Sequence, residues 1–149
     1  MNNGKKVERI YNNLGGFAAV EMQKWRSRVN AHGIQHFIVD GLCASFCAFV
    51  ALHAPESCYT KNVQFFVHPA ASFGMVETPA TRAFTKQAVS NWPKGLQDWW
   101  HKNRPGIAGV TLRYGDLKRI IPEKACPPDL VDGNGGNRTR QHRVNELQP

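Results

Sequence analysis

Two residues of types that can cooperate in acyl-transfer chemistry, Ser45 and His68, lie 23 positions apart in the 149-residue chain. A serine hydroxyl is a weak nucleophile until a base takes its proton, and histidine is the usual base because its pKa lies near neutral pH. Ser45 stands between a β-rich run and an apolar helical run, and His68 directly follows a second β-rich run. The two residues therefore predict a serine nucleophile with a histidine base.

A glycine pair, Gly15-Gly16, ends the segment 12–16, which is predicted to be a turn because glycine and asparagine tolerate positive φ. The backbone N–H groups of such a turn can approach a substrate closely, and those beside a serine that opens a helix can face a developing oxyanion. The residues around Ser45 read Cys-Ala-Ser-Phe-Cys rather than Gly-x-Ser-x-Gly. The α/β-hydrolase family is therefore not supported.

The apolar pattern of the first half predicts the elements that position these residues. A stripe with helical spacing predicts a helix over 17–32, and it comprises Ala18, Met22, Trp25 and Val29. Residues 34–39 are typical of a buried strand in a parallel sheet, and Asp40-Gly41 is predicted to turn the chain. Strands are also predicted over 5–11, 58–60 and 63–67, and a buried helix is predicted over 45–53.

Helix start signals dominate the second half. Thr78-Pro79 is a typical cap and first position for a helix that extends to residue 91, and Pro93 opens another. A short helix is predicted over 117–121. Strands that alternate with helices predict an α/β fold, in a single domain over 1–131. Residues 132–149 are rich in Gly, Asn and Arg and are predicted to form a disordered basic tail.

The net charge of +8 permits binding to nucleic acid or to an anionic surface. The cations are scattered, and no basic helix or basic stretch with interleaved aromatics is present, so no specific nucleic-acid partner is predicted. No run approaches the roughly 20 apolar residues of a membrane helix, no signal peptide is visible, and membrane association is left open. A small basic binding domain, in which the serine and the histidine are incidental, remains an alternative.

The four cysteines, Cys43, Cys47, Cys58 and Cys126, allow three states. Two disulfides would form in an oxidising compartment, and buried thiols would persist in a reducing one. A zinc site is the third alternative, although Cys-x-x-x-Cys without a second tight pair is a weak zinc signal. If disulfides form, we expect Cys58 to pair with Cys43 or Cys47, of which Cys47 is favoured, and Cys126 to pair with the other.

The order of these motifs resembles the ClpP/crotonase superfamily. Segment 12–16 is similar to the Asn-Ser-Pro-Gly-Gly turn of the Clp protease proteolytic subunit, with Leu14 in place of proline. Segment 41–47 occupies the position of that family's Gly-x-Ala-Ser-Met nucleophile segment, with Phe46 in place of methionine, and the distance to His68 is also similar. The resemblance covers residues 7–70 well and is loose beyond them. The Cys-Ala-Ser-x-Cys form resembles a bacterial branch of predicted cell-envelope proteins.

The resemblance implies a fold of ββα units and a serine peptidase that needs no cofactor or metal. Ser45 would be the nucleophile and His68 the base, while the N–H groups of Gly16 and Phe46 would hold the oxyanion. Asp116 would be the acid that orients His68, and Asp98 is the second candidate for that role. The alternative role of Asp116 is that of an acid at a helix N-terminus.

The same resemblance implies a peptide or protein substrate, a homo-oligomer and a cell-envelope or periplasmic location. The family begins with a further strand and helix before the glycine turn, so the domain is expected to be N-terminally shortened. A catalytically inactive binding or assembly protein on the same fold is the main alternative.

Overall fold

The computed structural model describes residues 6–16, 18–30, 33–72 and 74–128. In chain order the elements are β1 (Lys6–Asn13), α1 (Ala18–Asn30), β2 (Ile34–Ala44), α2 (Phe46–Val50), β3 (Cys58–Tyr59), β4 (Gln64–Val67), α3 (Pro79–Ser90), α4 (Lys94–Asn103), β5 (Val110–Arg113), α5 (Tyr114–Ile120) and a 3₁₀ helix (Pro122–Lys124). The predicted tail over 132–149 lies outside the described residues, as do residues 5, 17, 31 and 32 at the ends of predicted elements.

The strands form one five-stranded sheet in the order β1-β2-β4-β5, with β3 also paired to β2. The β1–β2, β2–β3 and β2–β4 pairs are parallel, whereas β4 and β5 are antiparallel. The prediction of an α/β fold is confirmed. The antiparallel edge strand β5 was not predicted, because its alternation of apolar and polar residues extends over only four positions. Of these four residues only Leu112 is buried.

The central strand β2 is longer than predicted, because Asp40-Gly41 continues it instead of turning the chain. A Cβ at Gly41 would lie 2.2 Å from the carbonyl oxygen of Tyr11, so only glycine permits this approach of β1. The Asp40 carboxylate is buried and accepts hydrogen bonds from Arg9 and Thr60. Buried polar groups in a strand are tolerated when they are paired in this way.

Helix α1 is tied to the sheet by a buried ion pair between Arg28 and Glu8 of β1. Burial lowers the pKa of the Arg28 guanidinium to about 10, which leaves it charged at neutral pH. Trp25 of the predicted apolar stripe is buried against Phe37, but Val29 is 46% exposed. The stripe therefore covers the sheet only in part.

The predicted helices after residue 77 are present. Thr78 caps α3 by accepting a hydrogen bond from the backbone N–H of Thr81, and Pro93 precedes α4. Helix α5 begins at Tyr114, three residues before its predicted start, and α2 ends at Val50, three residues before its predicted end. No helix in the described part of the chain is long and apolar enough to cross a membrane.

The cysteines form disulfides between Cys43 and Cys47 and between Cys58 and Cys126, so the predicted pairing is wrong. The C-terminal segment runs alongside β3, where the backbone N–H of Cys126 donates to the carbonyl of Tyr59. Cys58 therefore lies beside Cys126, and the sharp turn after β2 places Cys47 beside Cys43. Disulfide sulfurs are not thiolates, so neither the zinc alternative nor the free-thiol alternative fits this structure.

Candidate active site

Ser45 and His68 lie side by side because they follow two neighbouring parallel strands. Strands β2 and β4 pair through Leu42 with Gln64 and through Ala44 with Phe66. The backbone N–H of Ser45 then donates to the carbonyl of Phe66 at 3.0 Å, which extends the pairing one residue beyond β2. Both side chains therefore emerge at the carboxyl edge of the sheet, the edge where parallel α/β sheets bind their ligands.

The backbone of Ser45 is held in an unusual conformation, with φ 56° and ψ −119°. A non-glycine residue at positive φ costs about 1–3 kcal/mol and persists only where the surrounding structure enforces it. The turn connects β2 to α2 sharply and leaves the serine hydroxyl half-buried at the sheet edge. A strained strand-to-helix turn is the usual way to present a nucleophilic serine, here without the Gly-x-Ser-x-Gly signature.

Two neighbours enclose this turn. A Cβ at Gly15 would lie 2.6 Å from the Cβ of Ser45 and 2.6 Å from the carbonyl oxygen of Ala44, so the glycine turn fits directly against the serine. The Cys43–Cys47 disulfide bridges the turn from inside, and both of its cysteines are fully buried. The contact of Gly15 was not predicted; the glycine pair itself was the only signal in the sequence.

The Ser45 hydroxyl lies 2.6 Å from Nε2 of His68, which confirms the predicted proximity. The other ring nitrogen, Nδ1, lies 2.8 Å from the carbonyl oxygen of Pro69. A carbonyl oxygen can only accept, so Nδ1 carries the proton in the neutral ring and Nε2 presents its lone pair to the serine. The ring also contacts Phe66, with centroids 5.6 Å apart. His68 is therefore oriented to take the hydroxyl proton.

The predicted oxyanion donors, Gly16 and Phe46, are each adjacent in sequence to a residue of the contact between Gly15 and Ser45. Phe46 follows Ser45 directly, and Gly16 follows the glycine that contacts it. The Gly15 N–H donates to the side-chain oxygen of Asn13 at 2.9 Å and is already engaged. Over the described ranges, no hydrogen-bond acceptor is found for the backbone N–H of Gly16 or of Phe46. These two N–H groups thus remain available to a ligand.

Asp116 does not contact His68, and its predicted role as the orienting acid needs correction. One carboxylate oxygen accepts from the backbone N–H of Arg113 at 2.9 Å, and the other pairs with Arg119 at 2.8 Å. The bond from Arg113 is the main cause that lowers the pKa of the Asp116 carboxyl. Because α5 begins at Tyr114, Asp116 lies in its first turn and has the helix N-terminal role left open above.

The competitor, Asp98, pairs with Lys94 on the surface of α4 at 2.6 Å. The site is thus a serine–histidine pair whose second ring nitrogen is held by a backbone carbonyl.

A cavity of about 840 Å³ lies between α1 and α2. Its walls are mainly apolar and include Trp25, Phe37, Phe46 and Phe49. Neither Ser45 nor His68 lines it, so it meets the site only through Phe46.

Comparison with protein-family models, curated proteins and solved structures found no match for the chain. Within residues 6–128, where described, no group of three or more His, Cys, Asp or Glu side chains is placed to hold a metal ion.

Proposed function

We propose that the protein is a serine hydrolase of the ClpP-like type and that it cleaves peptide bonds. The observation that carries this proposal is the 2.6 Å contact between the Ser45 hydroxyl and Nε2 of His68. Serine–histidine contacts of this length are the arrangement in which a histidine activates a serine nucleophile. The strained backbone of Ser45 and the two unengaged N–H groups beside it support the same chemistry.

The reaction begins when Nε2 of His68 takes the hydroxyl proton as the Ser45 oxygen attacks the substrate carbonyl carbon. The carbonyl π bond opens, and the resulting oxyanion accepts hydrogen bonds from the N–H groups of Phe46 and Gly16. Collapse of this intermediate breaks the scissile bond, and the leaving amine takes the proton from His68. A water molecule, deprotonated by His68, then hydrolyses the acyl ester on Ser45 and restores the hydroxyl.

The carbonyl of Pro69 selects the productive tautomer of His68 but carries only a partial negative charge. A carboxylate in the same place would stabilise the imidazolium that forms during attack more strongly. We therefore expect a slower enzyme than one with a complete triad.

The resemblance to the Clp protease proteolytic subunit supports the peptide substrate and the ββα-unit fold. The five-stranded α/β sheet is compatible with that fold. The same resemblance supports a homo-oligomer, and the likeness of the Cys-Ala-Ser-x-Cys segment to a bacterial branch of cell-envelope proteins supports a location in the cell envelope.

Steady-state hydrolysis of activated peptide esters by the full chain tests this proposal. Ser45→Ala and His68→Ala should each lower kcat by about 10³-fold or more, as losses of catalytic residues do. Matched controls are Ser90→Ala and His53→Ala, which change exposed residues of the same types outside the serine–histidine contact. Activity that survives both site variants, or that falls equally in the controls, would contradict the proposal.

A second candidate is a binding protein that has kept the shape of this site without turnover. The observation in its favour is that Nδ1 of His68 faces a carbonyl and that Asp116 is engaged elsewhere. Peptide binding by a well-folded wild-type chain without measurable ester hydrolysis would favour this candidate.

A further inference from the structure

A cleft of about 330 Å³ with cationic walls opens next to the catalytic histidine. Its cations are Arg82 and Lys86 of α3 and Arg104, which follows α4; His101 also lines it. Glu77 is its single carboxylate, so the full charges at neutral pH are three positive and one negative. We refer to this feature as the cationic cleft.

Among the residues that the structure describes, Glu77 is the one carboxylate that lines the cationic cleft, so its positive charge is compensated only in part. Arg82 and Lys86 are four residues apart on α3 and therefore share a face, an arrangement of like charges that destabilises a helix slightly. Among the described residues, no carboxylate forms an ion pair with the side chain of Arg82 or of Lys86. The Arg104 side chain donates a hydrogen bond to the carbonyl of His101 at 3.4 Å. An external anion would relieve this repulsion.

The cleft and the serine–histidine pair share one short segment of backbone. Pro69 lines the cleft, and its carbonyl accepts from Nδ1 of His68. The next N–H, that of Ala70, donates to the hydroxyl of Thr85 at 2.8 Å, and Thr85 lines the cleft as well. The wall of the cleft is thus joined to the histidine through two hydrogen bonds of adjacent backbone groups.

We infer that the cationic cleft binds a carboxylate of the peptide substrate and gives the enzyme a preference for acidic peptides. This inference rests on the proposed function, because it takes the substrate to be a peptide that is bound at Ser45 and extends past His68 into the cleft. Arginine favours carboxylates through paired, charge-assisted hydrogen bonds. The indole of Trp100 supplies an apolar wall against which the methylene groups of an acidic residue can pack.

Binding of fluorescein-labelled peptides to the full-length Ser45→Ala protein tests the cleft without turnover. A peptide with Glu residues on both sides of the scissile bond should bind about tenfold more tightly than its Gln counterpart at low salt. Raising the ionic strength should reduce this ratio, since salt screens exposed charges. Amidation of the peptide C-terminus distinguishes the two possible sources of the carboxylate. If the cleft binds a side-chain carboxylate, the preference for the acidic peptide persists after amidation. If the cleft binds the terminal carboxylate, amidation abolishes the preference.

The variant Arg82→Gln/Lys86→Gln should reduce the Glu-to-Gln affinity ratio to within twofold of unity. The control Lys102→Gln/Lys118→Gln removes the same charge from exposed positions outside the cleft and should keep the ratio. No preference in the parent protein, or equal loss of preference in the control, overturns the inference. Selective binding without ester hydrolysis by the wild type would contradict only the proposed function, whereas hydrolysis without an acidic preference would contradict only the cleft.

Discussion

Replacement of Ser45 by glycine should give a more stable protein than replacement by alanine, although both variants lack the proposed nucleophile. Both lose the hydrogen bond to His68, so this loss cancels in the comparison. The difference that remains is the backbone conformation, φ 56° and ψ −119°, which glycine adopts freely and alanine does not. The comparison therefore reports the backbone strain at Ser45, offset by the greater freedom of glycine in the unfolded chain.

The magnitude follows from two opposing contributions to the free energy of unfolding. Relief of the positive φ should stabilise the glycine variant by about 1–3 kcal/mol. The greater freedom of glycine in the unfolded chain should cost about 0.4–1 kcal/mol. At the midpoints of these ranges, the net advantage of Ser45→Gly over Ser45→Ala is about 1.3 kcal/mol, which corresponds to about 3–5 °C in Tm for a domain of this size.

Urea denaturation and thermal melting, followed by circular dichroism, would measure this difference. Ser72 provides the matched control, because it is exposed and does not have a positive φ. At Ser72 the glycine variant should be the less stable of the two by about 0.4–1 kcal/mol. If glycine is also the less stable replacement at Ser45, the strand-to-helix turn is not strained and the structural reasoning about the nucleophile fails.

Two further predictions concern side chains near the site. Asp116→Asn should leave the rate of ester hydrolysis within twofold of wild type in pH-matched kinetics, whereas removal of a true triad acid costs about 10⁴-fold. Because the folded-state pKa of this carboxyl is depressed, the stability it contributes is present above its unfolded pKa and lost as the pH falls through its folded pKa. The variant should therefore lose less stability than the wild type on acidification. A large loss of hydrolysis rate in Asp116→Asn would instead show that Asp116 is the orienting acid. Replacing Cys58–Cys126, which joins residues 68 apart, by alanines should cost about 4 kcal/mol but spare hydrolysis. Replacing Cys43–Cys47, whose cysteines are 4 residues apart, should cost only about 2 kcal/mol but slow hydrolysis at least tenfold. If hydrolysis is slowed more by the loss of Cys58–Cys126 than by the loss of Cys43–Cys47, the Cys43–Cys47 bridge does not position Ser45.

The proximity of Ser45 and His68 could be predicted because it depends on two short-range signals. Each residue ends a β-rich run, and parallel strands joined by a helical connection tend to be neighbours whose carboxyl ends meet at one edge. The cap at Thr78 was equally local, since its hydrogen bond lies within the first turn of α3. Features that depend on a few adjacent residues were therefore available from the sequence.

Features that depend on distant backbone were not. Gly41 was predicted to turn the chain, yet its role is to admit the carbonyl of Tyr11 from the neighbouring strand. The partner of Cys58 is set by the C-terminal segment that runs beside β3 and not by its nearest cysteine. Asp116 was selected for its distance from His68 along the chain, but the local start of α5 decides its hydrogen bonds.

The most direct test of Ser45 as an activated nucleophile is covalent labelling of the full chain by a fluorophosphonate, with the modified residue located by peptide mass spectrometry. We expect a single adduct on Ser45 in the wild type, no adduct in Ser45→Ala, and labelling at least tenfold slower in His68→Ala. Ser90 is an internal control, because it is exposed and its hydroxyl donates to the carbonyl of Gln87 rather than to a base. A folded wild-type protein that stays unlabelled at Ser45, or that reacts equally at Ser90, would contradict the assignment.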